Sequence, residues 1–118
     1  MRTRVLVVDD HSGFRGVARL LLEGGDFDVV GEAADGPEAV ALADELTPRL
    51  VLLDVHLPGA DGFAVARQLA ALPCAPAVVL VSSRPVSDLW RRVAESPAAG
   101  FLTKEELSGD AIRELVEG

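Results

Sequence analysis

Five side chains in this sequence have the chemistry to pass a phosphoryl group onto a carboxylate: Asp9, Asp10, Asp54, Ser82 and Lys104. Each comes directly after a short apolar run. Asp9-Asp10 follow Val5 to Val8, Asp54 follows Leu50 to Leu53, Ser82-Ser83 follow Ala77 to Val81, and Gly100 to Leu102 leads through Thr103 into Lys104. Taken singly, Asp and Ser are ordinary caps at strand-to-helix turns. Gathered on one rim they are costly, because two like charges about 4 Å apart repel by roughly 4 kcal/mol at an effective dielectric of 20. A cation offsets that cost, and a site of carboxylates, carbonyls and water suits Mg²⁺ or Mn²⁺ better than zinc. His11 and His56 stand apart and alone in the sequence and are not read as side-chain ligands. Asp9 and Asp10 form a pair suited to holding the metal, and Asp54 is the nucleophile candidate. The metal and the ammonium of Lys104 would neutralise charge on the phosphoryl oxygens, with the Ser82 hydroxyl adding a hydrogen bond. Lys104 is the only lysine, the other ten basic residues being arginine.

The elements that must position these groups are legible as alternating patterns. Strands are expected at Arg4 to Val8, Phe27 to Ala33, Leu50 to Leu53, Ala77 to Val81 and Gly100 to Leu102. Three are continuous Val/Leu runs, as suits strands covered on both faces of a parallel sheet, and the second and fifth read as edges. Between them, Phe14, Val17, Ala18 and Leu21 fall at helical spacing, as do Ala39, Leu42, Ala43 and Leu46, and Val86, Leu89, Trp90 and Val93. Gly62 to Leu72 and Gly109 to Glu117 supply two more helices. Asp35-Gly-Pro-Glu38 is a helix start, and Gly24-Gly25 a helix end. Strands alternating with single helices imply right-handed crossovers. The expected fold is therefore α/β, a (βα)₅ three-layer sandwich on a five-stranded parallel sheet, with residues 1–118 forming one domain. In such sheets ligands bind beyond the carboxyl ends of the strands, which is where the five side chains lie.

Four stretches resemble the receiver domains of two-component response regulators: VLVVDDH (Val5 to His11), LVLLDVHLPGADG (Leu50 to Gly62), VVLVSS (Val78 to Ser83) and GFLTK (Gly100 to Lys104). The resemblance covers the chain end to end and implies a strand order 2-1-3-4-5. It implies that Asp54 accepts a phosphoryl group from a sensor histidine kinase, that Asp10 ligates Mg²⁺ directly and Asp9 mainly through water, and that His56 contributes its backbone carbonyl. Lys104 would contact the phosphoryl group, Ser82 would be the switch hydroxyl, and Phe101 holds the aromatic switch position. Ser82 stands where most members have Thr, and Phe101 lacks the hydroxyl of a Tyr. The Asp-Asp-His opening and the Gly31-Glu32-Ala33 segment look most like the subfamily whose receivers precede a helix-turn-helix DNA-binding domain, so a receiver cut from a longer regulator is expected, with a single-domain regulator as the alternative. A homodimer through helix four, strand five and helix five is the interface such receivers use.

Composition narrows the alternatives. The 118 residues carry 19 acidic and 11 basic side chains, a net charge of −8. With no Lys/Arg run, direct nucleic-acid or anionic-membrane binding by this domain is not expected. One unpartnered Cys74 fits a reducing, cytoplasmic setting, and no apolar stretch reaches the roughly 20 residues of a membrane span. A haloacid-dehalogenase-like phosphatase would need a second acid two residues after its nucleophile, and here that residue is His56. A nucleotide site would need a Gly-rich loop after the first strand, where Asp9-Asp10-His11 stand instead. A phosphate-independent pseudo-receiver that serves only as an interaction module is the remaining alternative. Trp90 is expected in the core, and Asp88 with Arg92 as an i, i+4 ion pair on the fourth helix.

Overall fold

A computed structural model describes residues 2–117, with Asp88 described by its backbone alone. Along the chain run β1 (Thr3–Val8), α1 (Ser12–Glu23), β2 (Phe27–Ala33), α2 (Gly36–Leu46), β3 (Leu50–Asp54), α3 (Gly62–Ala70), β4 (Ala77–Ser82), α4 (Trp90–Glu95), β5 (Gly100–Thr103) and α5 (Gly109–Glu117). The five strands form one parallel sheet in the order β2-β1-β3-β4-β5, so the strands expected at the edges are the edges. A small antiparallel ribbon, His56–Leu57 with Ala60–Asp61, turns at Gly59, whose φ of +63° suits glycine.

Strand alternation divides the core into two halves. Leu6, Val8, Val51, Leu53, Val78 and Leu80 face one side, where Ala39 and Ala43 of α2 and Val65, Ala66 and Leu69 of α3 cover them. Val5, Val7, Leu50, Leu52, Val79 and Val81 face the other, against Ala18 and Leu22 of α1 and Ile112 of α5. This is the expected three-layer sandwich. Asp35 caps α2: its Oδ1 accepts the Glu38 N–H at 2.8 Å, and Glu38 Oε1 accepts the Ala34 N–H at 2.7 Å. Asp35→Ala is expected to lower stability by about 1 kcal/mol, measured as a urea midpoint shift at constant m-value.

Two helix faces differ from the periodic reading. In α1 the buried residues are Ala18 and Leu22, whereas Val17, Leu20 and Leu21 are exposed at 52%, 78% and 43%. The apolar stripe is wider than the strip the sheet covers: of Phe14, Val17, Ala18 and Leu21, Phe14 and Ala18 pack on the core, while Leu22 takes the inward place expected of Val17 and Leu21. The fourth segment is not one helix over Val86 to Val93. A 3₁₀ turn at Val86–Asp88 precedes the six-residue α4, and only Leu89 and Val93 pack on the core. Trp90 is 59% exposed, with the Arg91 guanidinium 5.5 Å from its ring centre, so it is a surface residue and not a core one. The ion pair expected between Asp88 and Arg92 lies outside the described residues. Arg92 pairs with Asp61, the N-cap of α3, and lies over the Phe63 ring.

Candidate functional site at the carboxyl edge of the sheet

Register brings the distant acids together. Val8 pairs with Leu53, so one rung further places Asp9 beside Asp54. Ser82 pairs with Thr103, and Lys104 follows at the next position. Lys104 opens a 3₁₀ turn that Glu106 fastens, its carboxylate accepting both the N–H and the hydroxyl of Thr103 at 2.9 Å. Those bonds hold the Glu106 carboxyl below its usual range.

Lys104 then spans the two buried acids. Its Nζ lies 2.7 Å from Asp9 Oδ2 and 3.3 Å from Asp54 Oδ2, and 4.5 Å from the centre of the Phe14 ring. Asp9 and Asp54 are 0% and 3% exposed. Each carboxylate is also fixed by an amide two residues on: Asp9 Oδ1 accepts the His11 N–H at 2.8 Å, and Asp54 Oδ1 accepts the His56 N–H at 2.9 Å. Asp10 is more open, 30% exposed, at the mouth. Ser82 is fully buried at the end of β4, and its Oγ accepts the Arg84 N–H at 3.0 Å, a bond that does not use its own O–H. Phe101 is half-buried and packs on the same apolar half as Leu89 and Val93. The His56 imidazole is exposed, and its backbone pairs with Asp61 in the ribbon.

The electrostatics follow from burial and neighbours. Burial pushes Asp9 up, but the Lys104 ammonium and the His11 amide outweigh it, and the carboxyl is held below its ordinary value. Burial also pushes Asp54 up; the His56 amide opposes this, the charge of Asp9 adds to it, and the net shift is upward. Burial pushes Lys104 down, yet its two carboxylate partners more than reverse that and hold the ammonium charged.

Residues outside the expected set complete the surroundings. His11 is one: its Nδ1 lies 3.2 Å from Asp9 Oδ1 and 3.1 Å from Asp10 Oδ1. Phe14, read as core, also lies against the Lys104 ammonium. Arg15 donates from Nη1 to the Asp9 carbonyl at 2.5 Å and pairs through Nε with Glu32 Oε1 at 3.0 Å, while Arg19 holds Glu32 Oε2 at 2.9 Å. The available signal was the i, i+4 arginine pair of α1 facing the one acid of Gly31-Glu32-Ala33.

The residues fit a divalent cation. Asp9 Oδ2 is buried with no aligned hydrogen-bond donor, since Lys104 reaches it as an ion-pair neighbour only. One ligand atom each from Asp9, Asp10, His11 and Asp54 lie within 4.8 Å of one another.

Comparison with known proteins gives this edge of the sheet its context. The family model for the response regulator receiver domain matches residues 5–117. The transcriptional regulatory protein LiaR of Bacillus subtilis is 36% identical, over 98% of this chain and 56% of its own length. The response regulator GacA of Pseudomonas protegens is 38% identical, over 97% of this chain and 52% of its own. The chain thus spans about half the length of the curated relatives it matches. The signal receiver domain of NarL from Mycobacterium tuberculosis superimposes with a TM-score of 0.84 at 36% identity, covering 99% of this chain and 98% of that one. With the matching sheet order and the acidic edge, these similarities place the chain in the family of response regulator receiver domains.

Proposed function

We propose that this receiver takes a phosphoryl group from a sensor histidine kinase onto Asp54. The observation that carries this is the buried Asp54 carboxylate, held at a strand end by the His56 amide and ion-paired to the single lysine. The N–P bond to the kinase imidazole breaks as a bond forms between phosphorus and an Asp54 oxygen, and the imidazole leaves with the electron pair. Asp9, Asp10, Asp54 and the His56 carbonyl would hold Mg²⁺ or Mn²⁺, which when bound neutralises charge on the phosphoryl oxygens. Lys104 supplies the second positive charge, as a compact ammonium suited to a single oxygen. Ser82 turns its free O–H toward the new group, and the half-buried Phe101 passes that movement to α4 through the apolar side chains it shares with Leu89 and Val93. A bias of a few kcal/mol between two states suffices for such a switch.

The output we propose is transcription regulation through a DNA-binding domain outside residues 1–118, in keeping with the name of LiaR and the half-length match. A homodimer through α4, β5 and α5 would cover Val86 and Trp90, which are exposed. We propose that the domain contacts neither nucleic acid nor an anionic membrane surface itself, in keeping with its net charge of −8. Among the described residues no helix is long and apolar enough to cross a membrane. We place it in the cytoplasm.

Incubation with acetyl phosphate and Mg²⁺, followed by mass spectrometry of the intact protein, tests the reading. One added phosphoryl group is expected on the wild type and none on Asp54→Ala. A wild type that gains nothing would overturn it in favour of a phosphate-independent interaction module.

A further inference from the structure

The position of His11 adds a nitrogen to a site that otherwise offers oxygen alone. His11 is the N-cap residue of α1, with φ −92° and ψ 110°, and it makes no side-chain capping bond. That extended backbone sends the chain back over the Asp9 carboxylate, whose Oδ1 takes the His11 amide at 2.8 Å. The imidazole is thereby held at the mouth, 70% exposed, with Nδ1 facing Asp9 Oδ1 at 3.2 Å and Asp10 Oδ1 at 3.1 Å.

These spacings are those of ligands on one ion. With metal–ligand bonds of about 2.1 Å, adjacent corners of an octahedron are roughly 3.0 Å apart and opposite corners roughly 4.2 Å. The atoms offered by Asp9, Asp10, His11 and Asp54 span no more than 4.8 Å, so a few tenths of an ångström of closure would bring all four onto one cation. Independently of the cluster, Asp9 is fully buried, and its Oδ2 lacks an aligned donor. Its close cationic neighbour, Lys104, is shared with Asp54 and the Phe14 ring. A second positive centre at the mouth would complete that carboxylate.

We propose that the His11 Nδ1 is a metal ligand and that it shifts this site from Mg²⁺ toward borderline divalent transition cations of the Co²⁺, Ni²⁺ and Zn²⁺ class. This rests on the metal site of the proposed function and goes beyond it in the class of ion. Imidazole nitrogen binds these cations well and Mg²⁺ poorly, whereas carboxylate and carbonyl oxygens serve both. The rise in affinity from Mg²⁺ to Co²⁺ that any oxygen site shows is therefore enlarged by one nitrogen ligand, and the enlargement disappears with the imidazole.

The test is isothermal titration calorimetry with Mg²⁺ and with Co²⁺, at one fixed pH near neutrality, on the wild type, His11→Ala and Asp10→Asn. His11 is exposed and caps nothing with its side chain, so His11→Ala is expected to fold, losing only the Nδ1 contacts with Asp9 and Asp10, and its melting temperature without metal is measured beside that of the wild type. The expected result is a Co²⁺ affinity at least tenfold lower in His11→Ala with Mg²⁺ affinity changed by less than about twofold, and loss of both in Asp10→Asn. A proton spectrum of the Co²⁺ complex should show a hyperfine-shifted imidazole ring that is absent from His11→Ala and retained in His56→Ala. If both ions bind and His11→Ala weakens them equally or not at all, the ligand assignment to His11 is wrong while the metal site stands. If the wild type binds neither ion, the metal site fails and the assignment with it.

Discussion

Gly62→Ala is expected to lower the stability of the domain by about 3 kcal/mol, although alanine is the better helix former. A Cβ at position 62 would lie 2.5 Å from Val55 Cα, 2.7 Å from the Asp54 carbonyl oxygen and 2.7 Å from that of Val55. All three are backbone atoms, so no rotamer change relieves the clash. The loop just after Asp54 must move, and the Gly62 amide that donates to the Val55 carbonyl at 3.1 Å moves with it. Overpacking of a tight interior costs about 1–3 kcal/mol, and rigid partners put this case at the upper end. For a domain of this size that corresponds to a fall in Tm of roughly 10 °C. Gly16→Ala is the internal control: it lies within α1, and its added Cβ would meet nothing within 4 Å. There the propensity gain of up to about 1 kcal/mol appears undiluted, and Tm rises. Equal shifts in the two variants, measured by thermal denaturation, would refute the close approach of Gly62 to the Asp54–Val55 backbone.

Lys104→Met should be the most damaging change among the site residues, at about 2–3 kcal/mol near neutral pH. It leaves Asp9 and Asp54 buried side by side with no cation between them. Breaking a buried pair by removing one partner costs about 3–5 kcal/mol, and the lower figure allows for the 20% exposure of the Lys104 side chain. Asp54→Asn has the opposite sign. It removes a carboxyl whose pKa is raised by burial and by the charge of Asp9, and is expected to stabilise the fold. In that background Lys104→Met should cost less than half as much, which a double-mutant cycle in urea would show; additive effects would exclude the three-way contact.

The pH dependence has definite signs. Asp9 is depressed in the folded state, so its contribution is present above 3.8 and is lost as pH falls through its lowered value. Asp54 is raised, so it binds a proton more tightly when folded, and its cost to stability is relieved as pH falls through its raised value toward 3.8. Lys104 is raised, so its contribution is complete below 10.5 and is lost only as pH rises through its folded value. Without Lys104 both acids take protons more readily. The gap between wild type and Lys104→Met should therefore narrow on acidification through the carboxylate range.

Much of this arrangement was written in local pattern. The unbroken Val5–Val8, Leu50–Leu53 and Val78–Val81 runs suit strands covered on both sides, and the parallel register brings Asp9, Asp54 and Lys104 to one end of the sheet. What escaped depends on geometry that apolar counting does not carry. Val17 and Leu21 are as apolar as Ala18 and Leu22, so spacing could not say which side of α1 meets the sheet. Leu89 and Val93 suffice to hold α4, and the matching residues Val86 and Trp90 made a longer helix appear where a 3₁₀ turn breaks it. His11 joined the acids because an Asx turn folds the chain back at that point, a backbone event its neighbours in sequence do not announce.

The displaced Trp90 gives the molecule an optical asymmetry. It is the sole tryptophan in a chain without tyrosine, and it stands in water on the short α4. Its fluorescence should be that of a solvated indole, so loss of the core is expected to change the emission wavelength little, and a blue shift has one ready source, the covering of α4. Unfolding must be followed by circular dichroism, while the same chain carries an unlabelled reporter for whatever comes to rest on that helix.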